Sequence, residues 1–256
     1  MKRCGPLHKP LRLIALLGVA AMALTGCAGE ASTEAAPLEI HAAASLKEPM
    51  TELMSDYQAE HPGMEFAPLT TAGSQQLVQQ VNEGAPVDVL ALADETSLTQ
   101  LEGDHADGFD ILVENSPVVV TTEDAAARIK SVADLADANN KVVICHSNVP
   151  CGRATERLFA EAGVSVSVVS EEDNVKAVLT KVTLGEADAG VVYRSDVVGV
   201  DGVEFFAPEE ATEIVNRYPI EALSDHPHAQ SFIDYVCGEH GREVLERYGF
   251  LVPEGK

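Results

Sequence analysis

From residue 38 onward, short apolar runs alternate with longer stretches whose apolar residues recur at helical spacing. In the first part of the chain this pattern predicts strands at 38–43, 64–69 and 87–91, and helices at 46–59, 75–82 and 94–101. Strands that alternate with helices in this way favour an α/β fold with mostly parallel sheets.

The same alternation starts again in the second part of the chain. It predicts strands at 118–120, 142–145, 164–169 and 189–192, and helices at 153–162, 175–184, 229–236 and 242–248. Two similar halves predict two lobes, and the last helices are expected to return to the first lobe. Pro117 and Pro219 mark extended crossing segments. Lobe 1 is therefore expected at 38–117 and 221–256, and lobe 2 at 118–220.

The amino terminus has the pattern of an export signal. Residues 1–12 carry four basic and no acidic side chains, residues 13–24 are apolar, and small residues precede Cys27. Residues 1–26 are therefore expected to be a lipoprotein signal peptide, with Cys27 as the lipidated first residue of the mature chain. The small, polar residues that follow predict a flexible tether over 27–37. This places the protein outside the cytoplasm, anchored to the cell membrane.

Composition narrows the range of partners. Hydrophobic residues make up 46% of the 256 residues and charged residues 23%, which is typical of a folded globular protein. The formal net charge is -24, and removing the basic signal peptide would make it -28. So acidic a surface repels phosphate backbones, and nucleic acid is not expected as a partner.

Three cysteines remain once Cys4 and Cys27 are set aside, and the predicted compartment is oxidising. Cys145 and Cys151, at the end of a predicted strand and in the loop that follows, are favoured as a disulfide. A zinc site would need more close ligands than His146 supplies. No cation site is expected. Because three cysteines are an odd number, at least one thiol stays free unless two chains cross-link, and the sequence does not give the partner of Cys237.

The turns between strands and helices hold the candidate binding groups. Ser45 is expected to cap its helix, with Glu48 completing a capping box, and Ser74 opens the next helix. Further turns precede helices predicted at Arg153 and Val175. Helix amino termini carry unpaired N–H groups and partial positive charge, so several that face one cleft would bind an anion.

Signatures of other sites are missing from the sequence: there is no G-x-G-x-x-G, P-loop, G-x-S-x-G or H-E-x-x-H motif. Acidic residues are scattered singly, and tryptophan is absent. An exported thiol enzyme that uses Cys151 with His146 as base stays open as an alternative.

Several motifs in order resemble those of a known family. They are Ala42-Ala43-Ala44-Ser45-Leu46, Gly84-Ala85-Pro86-Val87-Asp88-Val89-Leu90 with Ala93-Asp94, Val149-Pro150-Cys151-Gly152, Glu186-Ala187-Asp188-Ala189-Gly190-Val191-Val192-Tyr193 and Arg247-Tyr248-Gly249-Phe250. This combination, which runs from Leu38 to the end, resembles the molybdate-binding proteins of bacterial ABC importers, the ModA family.

The resemblance implies a noncatalytic, monomeric binding protein whose two lobes close on molybdate or tungstate and deliver it to an ABC permease and its ATPase. A binding protein of this kind is expected to need no cofactor. Carried over position by position, the oxyanion contacts fall on Ser45, Ser74, Cys151, Val175 and Tyr193. The alternatives are a binder of another oxyanion such as sulfate, the thiol enzyme, and a structural surface lipoprotein without a small ligand. A site made only of donors disfavours hydrogen phosphate, whose proton needs an acceptor.

Overall fold

The computed structural model describes residues 36–103 and 108–253, all within one compact unit of the chain. The predicted signal peptide, the lipidation site at Cys27 and most of the predicted tether lie outside these residues. The strands are β1 (Ile40–Ala43), β2 (Thr70–Ala72), β3 (Val89–Ala91), β4 (Asp110–Asn115), β5 (Pro117–Thr122), β6 (Val142–Cys145), β7 (Val168–Glu172), β8 (Ala189–Tyr193), β9 (Val203–Phe206) and β10 (Asn216–Ala222). The α-helices are α1 (Lys47–Glu60), α2 (Ser74–Asn82), α3 (Glu95–Leu98), α4 (Pro150–Glu161), α5 (Val175–Thr183), α6 (Arg194–Val197), α7 (Ala229–Val236) and α8 (Glu239–Arg247).

Two five-stranded sheets organise these elements, in the orders β2-β1-β3-β10-β4 and β7-β6-β8-β5-β9. Strand β1 pairs in parallel with β2 and β3, and β6 pairs in parallel with β7 and β8. The antiparallel strands are β10 in the first sheet and β5 in the second. Each sheet is therefore mostly parallel with one reversed strand, which confirms the predicted α/β class.

Each sheet has its own apolar core, and we call the two halves the first and second lobe. In the first lobe, side chains such as Leu53 and Phe232 pack on one face of the sheet and Leu77 on the other. In the second lobe a single large cluster includes Val143 and Val178. The inner strands β3 and β8 are buried along their whole length, whereas the edge strands β2 and β7 carry polar, partly exposed residues.

The chain crosses between the sheets twice. Only Ser116 separates β4 from β5, and the return leads from β9 to β10. The reversed strand of each sheet is thus the one that has just arrived from the other lobe. Since β10 already begins at Asn216, the lobe boundary predicted between residues 220 and 221 falls inside a strand of the first sheet.

Several predicted bounds differ from the structure. The strand expected at 64–69 contributes only an isolated bridge between Phe66 and Leu38, and β2 follows at Thr70. The strand expected at 164–169 begins at Val168. Helix α4 begins at Pro150 rather than Arg153, because proline at the first helical position needs no N–H partner.

Candidate functional site

The five residues predicted to contact an oxyanion all line one small pocket between the lobes. The lining consists of Ala43, Ala44, Ser45, Ala72, Gly73, Ser74, Ala93, Val149, Pro150, Cys151, Asn174, Val175 and Tyr193. None of these side chains is charged, and most are small. The cavity volume is about 20 Å³, on the order of one or two water molecules. Such a space suits a compact ligand better than a sugar or a peptide.

Ser45 reaches the pocket by a different local structure from the one predicted. It lies in a single 3-10 turn, Ala44–Leu46, and α1 begins only at Lys47. The side chain of Ser45 does not cap the helix, so the predicted capping box with Glu48 was wrong. Its hydroxyl oxygen instead lies 3.0 Å from the hydroxyl of buried Tyr218. A long-range partner has replaced the local one.

Ser74 is the first residue of α2, and Gly73 is the N-cap. The hydroxyl oxygen of Ser74 accepts a hydrogen bond from the backbone N–H of Ala93, at 2.9 Å. Its proton is therefore directed away from that bond. Because Ala93 follows β3 and α2 follows β2, this contact fixes the turn after one strand against the helix after another, with β1 between the two strands.

The second lobe supplies backbone donors from two helix starts. Cys151 lies in the first turn of α4 and Val175 begins α5, so their N–H groups have no acceptor within the helix. Helix α5 begins at Val175, as predicted, and Asn174 caps it by accepting from the N–H of Ala177 at 3.1 Å. This cap engages the N–H of Ala177 and leaves the N–H of Val175, at the pocket, for a ligand.

Cys151 is joined to Cys145 in the disulfide that the sequence favoured, with Cα atoms 5.7 Å apart. The bond closes the turn between β6 and α4 and holds the start of the helix against the strand. The thiol-enzyme alternative needs a free thiol at Cys151, and the sulfur is engaged here. Cys237 is a free thiol among the described residues, and burial raises its pKa to about 11.

Tyr193 ends β8 and is almost fully buried. Its hydroxyl oxygen accepts a hydrogen bond of 2.8 Å from the side-chain amide of Asn216 in the first lobe. Burial, with added repulsion from nearby Tyr218, Asp94 and Asp196, raises the pKa of Tyr193 well above its usual value. Burial likewise raises the pKa of Tyr218 above its ordinary value. Both phenols therefore keep their protons.

Carboxylates flank the pocket but are paired with cations. On one side Arg153 of α4 donates to the carboxylate of Asp94 at 2.7 and 2.9 Å, which joins the two lobes. On the other side Lys176 of α5 lies 2.9 Å from Glu48 in the first lobe and 3.4 Å from Asp196. The negative charges next to the pocket are thus balanced locally.

The ionisation of this second cluster departs from ordinary values. Burial raises the pKa of Asp196 to about 6, although Lys176 and the backbone N–H of Tyr193 favour its ionised form. For Lys176, burial lowers the pKa, but the attraction of Asp196 and Glu48 outweighs it, and the net direction is upward. Lys176 is consequently charged at neutral pH.

Sequence reasoning missed the residues behind the pocket wall. Tyr218, Asn115 and Asn216 contact the predicted hydroxyls, or one another, from strands of the first sheet and often across a long stretch of sequence. Their only sequence signal was a position next to the crossing segments, which was used to place boundaries and not site residues.

Within residues 36–103 and 108–253, no three His, Cys, Asp or Glu side chains are grouped so as to hold a metal ion. In the same part of the chain no helix has both the length and the apolar character needed to cross a membrane.

Comparison with known proteins places this fold and pocket in a family. A family model described as a bacterial extracellular solute-binding protein matches residues 38–251. The protein named molybdate-binding protein ModA from Mycobacterium tuberculosis strain H37Rv is 34% identical over 256 residues, which cover 94% of this chain and 97% of the relative.

Solved structures agree on the fold. The periplasmic molybdate-binding protein of Azotobacter vinelandii has a TM-score of 0.70 at 15% identity and covers 85% of this chain and 100% of its own. The sulfate-binding protein SubI of M. tuberculosis H37Rv also has a TM-score of 0.70, at 14% identity, and covers 84% of this chain and 86% of its own. Structural similarity at such identities establishes only the fold, whereas the sequence matches establish the family. The chain belongs to the bacterial extracellular solute-binding proteins, within the ModA family.

Proposed function

We propose that this protein captures molybdate, and also tungstate, in the pocket between its lobes and delivers the anion to an ABC permease and its ATPase. One observation carries the proposal: the pocket is uncharged and lined by hydroxyls and by the amino termini of helices. Donors of this kind stabilise an anion without a buried countercharge. The names of the relatives support molybdate in particular.

In this proposal Ser45, Ser74 and Tyr193 donate from their hydroxyls, and Cys151 and Val175 donate from backbone N–H groups. The protein binds and does not catalyse. Engagement of Cys151 in a disulfide supports this over the thiol-enzyme alternative, which needs a thiolate nucleophile. No cofactor takes part, and the protein acts as a monomer.

Calorimetric titration tests the ligand. The chain from residue 28 onward, which contains the whole described unit, is titrated with molybdate, tungstate, sulfate and phosphate at fixed ionic strength. We expect tight one-to-one binding of molybdate and tungstate that excess sulfate does not displace. Stronger binding of sulfate than of molybdate would favour the alternative, a sulfate-binding protein. The donor lining of the pocket and the structural similarity to SubI support that alternative. No heat with any oxyanion would refute the proposal.

Two variants test the site. Ser45→Ala and Tyr193→Phe each remove a hydroxyl that donates to a charged ligand, so affinity should fall about 10-fold to 100-fold. Ser231→Ala is a matched control, because Ser231 also bonds to a tyrosine, Tyr57, but lies outside the pocket. Equal losses in the control and the site variants would contradict the assignment.

The lipid anchor at Cys27 is part of the proposal. In the organism of origin, Cys27→Ser should release the mature protein from the membrane fraction. Mass spectrometry of the amino-terminal peptide should find a diacylglyceryl group on Cys27 in the unmodified protein. A membrane-bound Cys27→Ser variant would contradict this assignment.

A further inference from the structure

Behind the pocket lie three buried residues that do not line it, Asn115, Tyr218 and Asn216. We propose that they are positioning residues: they donate hydrogen bonds from behind to the pocket hydroxyls of Tyr193 and Ser45, and so turn the protons of these hydroxyls toward the ligand. This inference rests on the proposed function and deepens it, because it explains how a neutral pocket selects anions that carry no proton.

The first chain of bonds runs from Asn216 to Tyr193. The side-chain nitrogen of Asn216 lies 3.1 Å from the backbone carbonyl oxygen of Ala93 and 2.8 Å from the hydroxyl of Tyr193. A carbonyl oxygen can only accept, so the atom that faces it must be the amide nitrogen, which fixes the orientation of the side chain. Asn216 therefore donates to Tyr193, and the phenolic proton of Tyr193 is left for the pocket.

The second chain runs from Asn115 through Tyr218 to Ser45. The side-chain oxygen of Asn115 accepts from the backbone N–H of Ser116 at 3.1 Å, which again fixes the amide. Its nitrogen donates to Ser195 at 2.8 Å and to the hydroxyl of Tyr218 at 3.3 Å. Either hydroxyl could donate in the 3.0 Å contact between Tyr218 and Ser45; because Tyr218 already accepts from Asn115, we assign its own proton to Ser45. The proton of Ser45 is then free to point into the pocket.

The two chains of hydrogen bonds start from asparagines that face each other across one pair of strands. Asn115 and Asn216 are paired directly across β4 and β10, at the two places where the polypeptide passes between the sheets. Asn115 is fully buried and Asn216 is 7% exposed, so water does not compete for their amides. Asn216 reaches from the first sheet to a tyrosine of the second, so the orientation of the Tyr193 hydroxyl depends on the arrangement of the lobes seen here.

Ser74 completes the arrangement without an asparagine. One of its two lone pairs is occupied by the backbone N–H of Ala93. All three pocket hydroxyls thus accept a bond from the protein and direct their own protons toward the pocket. A proton on the ligand would have to face an oxygen whose own proton already points at the ligand, and burying an unpaired polar group is costly. The protein should therefore prefer fully ionised oxyanions to protonated phosphate.

A double-mutant cycle tests this assignment. Asn216→Leu should restore a lone pair and free rotation to the Tyr193 hydroxyl, and so lower the affinity for molybdate about 3-fold to 10-fold. Affinity for phosphate at pH 6, where it carries protons, should fall less, so the ratio of molybdate to phosphate affinity narrows. In a Tyr193→Phe background, Asn216→Leu should have little further effect, because its action passes through the missing hydroxyl.

Asn140→Leu is the matched control. Asn140 is also buried and hydrogen-bonded, to Arg128 and to the carbonyl of Asp134, but lies away from the pocket. It should lower the melting temperature without changing the affinity ratio. Additive losses in the cycle, or an unchanged ratio in Asn216→Leu, would overturn the proposal while leaving molybdate binding intact. If the unmodified chain binds no oxyanion, the proposed function itself fails before any variant is compared.

Tyr218→Phe keeps the test decisive should Asn216→Leu not fold. The ring and its packing against Tyr193 and Phe250 remain, and only the hydroxyl is lost. We expect the same narrowing of the affinity ratio, although Tyr218 does not line the pocket, and no further effect of Tyr218→Phe in a Ser45→Ala background. A ratio equal to that of the unmodified protein would refute the role of Tyr218.

Discussion

Gly73 offers a way to hold the two lobes apart. It is the N-cap of α2, with φ -62° and ψ 142°, a conformation that alanine adopts freely. A Cβ atom built at this position would lie 2.2 Å from the carbonyl oxygen of Asp173 in the second lobe, whereas real Cβ contacts essentially never fall below 3.0 Å. It would also lie 2.6 Å from the side-chain oxygen of Gln75, but that side chain is flexible and can turn away, while the backbone of Asp173 cannot. Gly73→Ala should therefore force the lobes about 0.8 Å further apart at the pocket.

The magnitude follows from what lies on either side of that contact. Ser74 comes directly after Gly73, and Asn174 with Val175 comes directly after Asp173, so the displacement separates donors of the two lobes. Hydrogen bonds near 2.9 Å weaken strongly when stretched by most of an ångström. Losing one bond to a charged ligand corresponds to about 10-fold to 100-fold in affinity.

Calorimetry with molybdate and thermal unfolding without ligand together test this prediction. The ligand-free melting temperature should change little, because alanine in place of an N-cap glycine costs on the order of 1 kcal/mol at most. Gly238→Ala is the matched control, since Gly238 is the N-cap of α8 with a similar φ of -74° and lies within the first lobe. Wild-type affinity in Gly73→Ala would refute the lobe contact on which the reasoning rests.

Three further perturbations have expected outcomes. Replacing Cys145 and Cys151 with alanine opens a short loop and should lower the free energy of unfolding by about 2 kcal/mol. The midpoint of urea unfolding should fall, and a reductant should not lower it further; an unchanged midpoint would contradict this. Asp196 has a pKa of about 6 in the fold against an ordinary value of 3.8; the folded state therefore binds its proton more tightly, and this contribution to stability is lost as pH rises from about 4 to about 6. The free energy of unfolding, measured in urea, should therefore be higher in Asp196→Asn than in the wild type, and this difference should be up to about 3 kcal/mol larger at pH 7 than at pH 4. Parallel pH profiles of the two proteins would contradict the assignment. Arg153→Gln leaves Asp94 unpaired beside the pocket and should lower molybdate affinity, and adding Asp94→Asn should restore much of it; no rescue would argue against charge balance as the cause.

Local signals were enough to predict much of the architecture. Helix α7 begins and ends where its apolar spacing predicted, α5 begins at the predicted Val175, and the Cys145–Cys151 pair forms. The predicted pocket residues meet because the carboxyl ends of parallel strands share one edge of each sheet. These are features that a few neighbouring residues determine.

The failures share a different cause. Ser45 looked like an N-cap by its spacing to Glu48, yet its hydroxyl bonds to Tyr218, 173 positions away in sequence. The run at 64–69 looked like a strand, but only Phe66 pairs there, and β2 begins where Thr70 comes alongside His41. No local pattern reports which of several apolar or polar partners tertiary packing will supply.

The acidity of the chain raises the question of how it could hold an anion at all. A cationic side chain in the pocket would attract any anion, protonated or not, and would have to be buried at a cost in solvation. The structure uses charge only around the pocket: Arg153 balances Asp94 across the two lobes, and Lys176 balances Asp196 in its own lobe and Glu48 in the other. Because the pairs with Asp94 and Glu48 need both lobes in contact, the same arrangement that brings the donors together also neutralises the carboxylates beside them. The field at the pocket is then left to helix amino termini and oriented hydroxyls, which are selective by geometry and not by charge alone.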